Sequence, residues 1–353
     1  MIVVNYGGDI AKNTYDTLKA SDITDFLQPG FSAALKPNLV TARPPREGAT
    51  THTEVLEGII LYLRDYGIKD IRIIESSQVG ESTKRAYKVC GYEELSRKHN
   101  VPLVELKSDS TSKLRYKDNS YEVYNEALNT DFLINVPVLK GHSQTRLTCC
   151  MKNLKGCIPD SEKRRYHTLG IDKPVAALNA IIKTGYCVVD GVCGDLSFEE
   201  GGNPVEANRV IAGRDPVTVD SYCAQLIGYR PEDIRHVAYG MEWGIGEFFS
   251  GKTRLVELNA QNKPRREARS RLTTERYKNL IEEDAACSAC YASLTYALHR
   301  LRGNVKVKGK IHIGQGFKGK GGDGMGVGAC CSGFATCVPG CPPKATDIAD
   351  ALR

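Results

Sequence analysis

No apolar run in this sequence approaches the roughly 20 residues that cross a bilayer, so no membrane span is expected. No export leader precedes the first strand-like run, Met1-Ile2-Val3-Val4-Asn5-Tyr6. A disulfide framework needs an oxidising compartment, so none is expected, and the chain is read as cytoplasmic. A Walker-type phosphate loop is also missing: Gly319-Lys320-Gly321 lacks the spacing and the following Ser or Thr. No G-x-G-x-x-G follows a strand in the first half. Gly314-Gln315-Gly316-Phe317-Lys318-Gly319 fits that pattern but runs on into more glycines instead of a helix, so NAD and flavin gain no support. No basic run is interleaved with aromatics, and nucleic acid is not an expected partner. There is no internal repeat.

What is present is an ordinary globular composition, 41% hydrophobic and 25% charged over 353 residues, enough for two domains or one large core with an appendage. Net charge is +6, and much of the excess lies between Lys263 and Lys320. The run Lys263, Arg265, Arg266, Arg269 and Arg271 reads as a solvated helical face.

Strand-like runs alternate with helix-period segments. Ser32 to Val40 ends as a strand, and Thr53 to Tyr66 follows as a helix with Val55, Ile59, Ile60 and Leu63 on one face. Strands are expected at Ile68 to Ile74, Val101 to Leu106, Asp131 to Val138, Tyr186 to Val189 and Gly251 to Gln261. Glu81 to His99 and Pro174 to Thr184 read as helices, and Leu114 to Tyr124 as a hairpin. This order predicts an α/β fold, a largely parallel doubly wound sheet, with a smaller C-terminal α+β cysteine-rich module. The expected division is residues 1–260 for the α/β domain, 261–284 for a basic linker and helix, and 285–353 for the module. Within the module, Tyr291 to Leu301 reads as a helix, Lys306 to Ile313 as a strand, and the chain ends in a short helix near Lys344 to Leu352.

Thirteen cysteines are many for a chain of this kind, and six lie in the module. Cys287 and Cys290 form a C-x-x-C pair, and Cys330, Cys331, Cys337 and Cys341 follow a glycine-dense stretch. Clustered cysteines outside an oxidising compartment point to metal or redox chemistry. A cluster of iron and sulfide needs four converging thiolates and backbone that approaches without obstruction. Cys287, Cys290 and Cys341 are the first three candidates, the last being followed by proline as in bacterial ferredoxins. Cys330 is favoured for the fourth place because the glycine run ends on it. Cys337 is its rival through the Cys337-x-x-x-Cys341-Pro342 spacing, and Cys331 stands third. The expected cofactor is a [4Fe-4S] cluster, with a four-thiolate zinc site as the alternative. Cys90, Cys187, Cys193 and Cys223 are read as core packing, while Cys149, Cys150 and Cys157 flank Lys152-Asn153 and leave a second metal site open.

In open α/β sheets ligands bind beyond the carboxyl ends of strands. Polar residues collect there: Lys36 and Asn38, His52, Glu75, Lys140 and His142, Lys152 and Asn153, and the cationic loop that includes His167. Lys36, Lys140 and Lys152 would attract an anion, Asn38, Glu75, Asn153 and His167 would orient it, and His52, His142 and Lys140 would handle protons. Asp190, Asp215 and Asp220 serve equally well as caps and turn residues.

The runs Lys36-Pro37-Asn38-Leu39-Val40, Thr50-Thr51-His52-Thr53-Glu54, Asn135-Val136-Pro137-Val138-Leu139-Lys140-Gly141-His142, Met151-Lys152-Asn153-Leu154-Lys155-Gly156 and Ile211-Ala212-Gly213-Arg214-Asp215-Pro216-Val217 together resemble the DUF362 family, over roughly residues 30 to 230. That resemblance implies association with ferredoxin-type iron–sulfur modules, often in anaerobes. The tail is similar to a cysteine-bearing extension found on some members. Gly340-Cys341-Pro342-Pro343 also resembles the iron–sulfur subunits of complex I and hydrogenases. The core is more distantly similar to the fold of nickel-pincer lactate racemases, which implies a cleft faced by histidines. No pincer-attachment signature is present, so that cofactor is not carried over.

The leading expectation is an iron–sulfur oxidoreductase acting on a small anionic substrate. Its alternatives are a non-redox isomerase or ligase-like enzyme with a structural metal, and an electron carrier whose basic linker docks an acidic redox partner protein. A homo-oligomer is compatible with all three.

Overall fold

The computed structural model describes residues 1–270, 276–307 and 309–353. Arg271 to Glu275, in the expected linker, and Lys308, in the expected strand before Ile313, lie outside the described residues. The main sheet has eight strands: β1 (Ile2–Tyr6), β2 (Ser32–Pro37), β3 (Asp70–Glu75), β4 (Leu103–Glu105), β5 (Phe132–Val136), β6 (Thr184–Asp195), β7 (Pro204–Gly213) and β8 (Leu255–Leu258). Their spatial order is β8-β1-β7-β6-β5-β2-β3-β4. All are parallel except β7, which runs against both β1 and β6. The expectation of a largely parallel sheet holds, and β7 is the element that sequence reading missed.

Alternation along the strands shows that both faces are covered. In β5, Phe132, Ile134 and Val136 join the core beneath helices α1 (Ile10–Lys19) and α2 (Thr53–Asp65), while Leu133 faces the opposite core. In β6, Tyr186 and Val188 point one way and Cys187 and Val189 the other. Strands buried on both faces read as continuous apolar runs, which is why their sequences lack polar alternation. The second face is covered by α3 (Cys150–Asn153), α4 (Asp160–Thr168), α5 (Asp172–Ile181) and α6 (Pro216–Leu226). Asp215 caps α6: its carboxylate accepts from the Val217 and Thr218 N–H groups, and Pro216 fills the first helical position.

The chain runs outward from β2 to β3 and β4, then returns to place β5 on the other side of β2. The order therefore reverses between β2 and β5, where a crevice opens at the strand carboxyl ends. No described helix is long and apolar enough to cross a membrane.

A second sheet, all parallel, follows in the order β9 (Ile281–Glu283), β10 (Ile311–Ile313), β11 (Gly321–Val327), β12 (Gly333–Val338). Helices α7 (Ser288–Arg300) and α8 (Ala345–Ala351) share its apolar core. Part of the basic segment is tied to the main sheet: Glu267 pairs with buried Arg209, and Ser270 donates to Leu196 O at 2.6 Å.

The double-sided core makes a checkable contrast. Ile134→Ala, at a fully buried site in β5, is expected to lower stability by about 2–5 kcal/mol in chemical denaturation. Leu255→Ala, at a site 38% exposed on the edge strand, is expected to change it by about 0.5 kcal/mol or less.

Candidate functional site

The crevice at the switch point is a cavity of about 120 Å³. Lys36, Glu75, Lys140, His142, Lys152, Lys155, Lys163, His167 and Glu199 reach its wall, with Asn38 and Asn153 beside them. Five lysines thus face two carboxylates. Asn153 fixes the floor. Its side-chain amide donates to Lys36 O (3.1 Å), Pro37 O (3.3 Å) and Asn135 Oδ1 (2.8 Å), joining the ends of β2 and β5. The chain can close over the floor because residue 156 is glycine: a Cβ there would stand 2.0 Å from Glu75 Oε1.

The lysines are not equivalent. Lys36 gives its charge to Glu75 (2.7 Å), and both side chains are buried. Glu75 also accepts from the Leu39 and Ser76 N–H groups, so the pair holds the crevice in shape. Lys140 Nζ donates to Ala49 O (2.5 Å), Glu199 O (2.8 Å) and Asn38 Oδ1 (3.3 Å), which occupies all three of its protons. Lys163 is engaged by Ser76, Ser77 and Asp160. Lys155 Nζ lies 3.4 Å from His167 Nε2. Lys152, among the described residues, has neither a hydrogen bond nor an ion pair.

Burial lowers the pKa of Lys152 to about 7; Lys140 adds to the effect, while Glu199 and Asp172 oppose it. Lys140 falls to about 8, again through burial, against the pull of Glu199 and Asp195. Burial, then Lys152 and Lys163, hold Lys155 well below the usual range. The charged forms of these amines are disfavoured without a counter-charge, and a bound anion would supply one.

His142 Nδ1 accepts from the Gln144 and Thr145 N–H groups at 3.0 and 3.1 Å. That assigns the proton of the neutral ring to Nε2, 3.4 Å from Glu199 Oε1. Burial, reinforced by Lys152 and Lys155, keeps the ring neutral, so it offers a hydrogen-bond donor to the cavity. Glu199 was not read from the sequence. It lies 56 residues from Ser143, to which it binds through both backbone and hydroxyl. His52 is a correction. It does not line the cavity: its ring Nδ1 lies 2.8 Å from Asp190 Oδ2, which also accepts the His52 N–H at 2.7 Å. Its place at the N-cap of α2 makes it a clasp between that helix and β6.

The roof comes from the second sheet's domain. Cys287, Ser288 and Ala289, at the N-terminus of α7, close the cavity, and Ser288 N lies 3.4 Å from His167 Nε2. Cys287 itself accepts from Gln315 Nε2 at 3.6 Å. Burial raises the Cys290 pKa, and the Cys287, Cys341 and Cys330 thiols push it further, with Cys331 last. Cys287 is raised by burial and by Cys341 and Cys330, against Lys155. Four thiols thus face a common region. A Cβ at Gly328 would stand 3.9 Å from Cys290 Sγ, an ordinary contact, and glycine serves there because its φ is 90°. Cys331 turns away, packed with Phe317 and Phe334. Cys337 Sγ lies 3.7 Å from Gly328 O, and burial alone raises its pKa.

Residues 33–225, more than half of the chain, match the family described as Domain of unknown function (DUF362). The chain belongs to the DUF362 family. A thylakoid-associated protein of Synechocystis sp. is 25% identical over 232 residues, which cover 63% of this chain and 70% of that protein. Among solved structures, the lactate racemase apoprotein of Thermoanaerobacterium thermosaccharolyticum aligns with a TM-score of 0.44 and 11% identity, over 64% of this chain and 57% of that one. A Thermotoga maritima protein aligns with a TM-score of 0.40 and 11% identity, over 67% and 60% of the two chains. The chain therefore spans less than two thirds of either solved structure. Every lysine and histidine of the cavity lies inside the DUF362 match, while the three roof residues lie outside it.

Two outcomes follow from this geometry. Glu75→Gln leaves Lys36 a buried cation without its partner and is expected to cost about 3–5 kcal/mol in denaturant unfolding. Binding of sulfate, which does not titrate in this range, is expected by calorimetry to weaken as pH rises through about 7, where free Lys152 loses its proton and binding must restore it, with proton uptake by Lys152 added to that of Lys155.

Proposed function

We propose that this DUF362 protein is an iron–sulfur oxidoreductase whose substrate is a small anion held in the lysine-lined cavity. The observation that carries the reading is the double position of Cys287, which roofs the cavity and stands among the tail thiols. Cys287, Cys290, Cys330 and Cys341 would hold a [4Fe-4S] cluster. When bound, it supplies single electrons at a fixed potential. The chemistry of the donor set supports this, since the Cys287, Cys341 and Cys330 thiols act electrostatically on Cys290.

The rest of the work falls to the chain itself. Lys152 and Lys155 draw the anion in and, on binding it, regain full charge. The α7 N-terminus adds the positive end of a helix dipole to the same side. His142 Nε2–H, without a hydrogen-bond partner among the described residues, donates to the bound substrate, with Glu199 Oε1 3.4 Å away. Lys36, Glu75 and Asn153 keep the strand ends in position. Cys287, Ser288 and Ala289 narrow the opening over the lysines.

Protein purified without oxygen should carry about four irons per chain and absorb visible light. Cys330→Ala and Cys341→Ala should lose most of that iron, whereas Cys337→Ala should keep it. Colourless, iron-free protein, or equal loss in all three variants, would sink the assignment. Lys152→Ala with its iron intact should lower anion affinity at least about tenfold; unchanged binding would remove the anion reading.

A further inference from the structure

Beneath the cavity floor, cysteines from separate elements meet a carboxylate inside the apolar core. Cys149 and Cys150 open α3, Cys187 lies on β6, and Asp220 and Cys223 are one turn apart on α6; all five are fully buried. The Cys149 and Cys150 sulfurs are 3.9 Å apart, and a carboxylate oxygen of Asp220 stands within 4.8 Å of both. The Cys223 thiol neighbours Cys149 and that of Cys187 neighbours Cys150, both outside the mutual group that Cys149, Cys150 and Asp220 form. Cys157, adjacent in sequence, packs into a different core cluster.

Asp220 is the anomaly in this group. Its two oxygens accept the Cys150 and Met151 N–H groups at 2.7 and 3.0 Å, and among the described residues no lysine, arginine or histidine pairs with it. A cation between the two thiols and the carboxylate would be held by all three, whose donor atoms lie within 4.8 Å of one another. Two sulfurs ~2.3 Å from one tetrahedral ion stand about 3.8 Å apart, which matches the observed pair. A four-iron cluster holds its thiolates farther apart than one ion does, so this pair suits a single ion. Thiolate donors select soft or borderline metals over calcium and magnesium, and a sealed four-donor set is the form of structural zinc centres.

We propose that Cys149, Cys150, Cys223 and Asp220 bind one zinc ion, with Cys187 packed beside it. On binding, each thiol gives up its proton to solvent and forms a sulfur–zinc bond, and the carboxylate completes the tetrahedron. The ion would pin the start of α3 to α6. Lys152 and Asn153 follow within that same helix, so the centre would set the cavity floor. This site is independent of the tail thiols and of the redox reading.

Full-length protein from zinc-replete cells should contain about one zinc per chain, counted separately from iron. Cys287→Ala/Cys341→Ala, which removes tail donors, should retain that zinc; its disappearance there would place the metal in the tail and overturn the proposal. Cys223→Ala should reduce zinc at least about fivefold, while Cys187→Ala should keep it. Should Cys223→Ala fail to fold, the wild-type chain still decides. Protein grown with cadmium should show thiolate-to-cadmium charge-transfer absorption in the Cys287→Ala/Cys341→Ala background, and denaturation should release about one ion per chain to a chromophoric chelator. Zinc far below one per chain, or no such absorption, would overturn the site.

Discussion

Withdrawal of water from a crowd of amines governs this molecule. Five lysines enter one crevice at the point where the strand order reverses, three of them, Lys36, Lys140 and Lys163, buried outright. The fold answers differently for each. Glu75 neutralises Lys36, carbonyl oxygens absorb the protons of Lys140 and Lys163, Lys155 stands against His167, and among the described residues the Lys152 amine is left without a partner. The first three are architectural, and the last is available. Repulsion among like charges would push the crevice open, and the Asn153 amide, bridging β2 to β5, resists that. Binding of an anion and tightening of the site are then the same event.

Much of this was legible in the sequence because parallel strands end where ligands bind. Lys36, Glu75, Lys140 and Lys152 each follow a run apolar enough to mark a strand or its neighbouring turn, so their convergence needed only the fold class. Glu199 was not legible. It lies in a loop whose partners, His142 and Ser143, are distant in the chain, and nothing local marks it. His52 looked like an acid–base residue because it sits in a polar run beside a strand end. The helix it begins turns its ring toward Asp190 instead. Strand β7 escaped notice because its first half is exposed and polar, at Glu206 and Asn208, and only Arg209 to Gly213 are buried. Spacing alone could not separate Cys330 from Cys337. Their surroundings differ, since the Cys330 thiol acts electrostatically on Cys287 and Cys290 while Cys337 lies against the Gly328 carbonyl.

The core cysteines carry a further lesson. Cys187 and Cys223 read as small apolar packing residues and pack as such, whereas Cys149, beside Cys150, left a second metal site open in the sequence. Only their meeting with Asp220 distinguishes them, and that meeting depends on α3 and α6 lying side by side under the sheet.

The ceiling over the cavity is supplied by a segment beyond the DUF362 match. A relative ending near β8 would retain the whole basic wall yet leave it open to the medium. Its amines would be hydrated, would titrate like those of any surface lysine, and would hold an anion only as loosely as salt allows. The appended piece therefore does for dielectric environment what it would do for electron supply, and gaining or losing it in evolution would change both traits in one step.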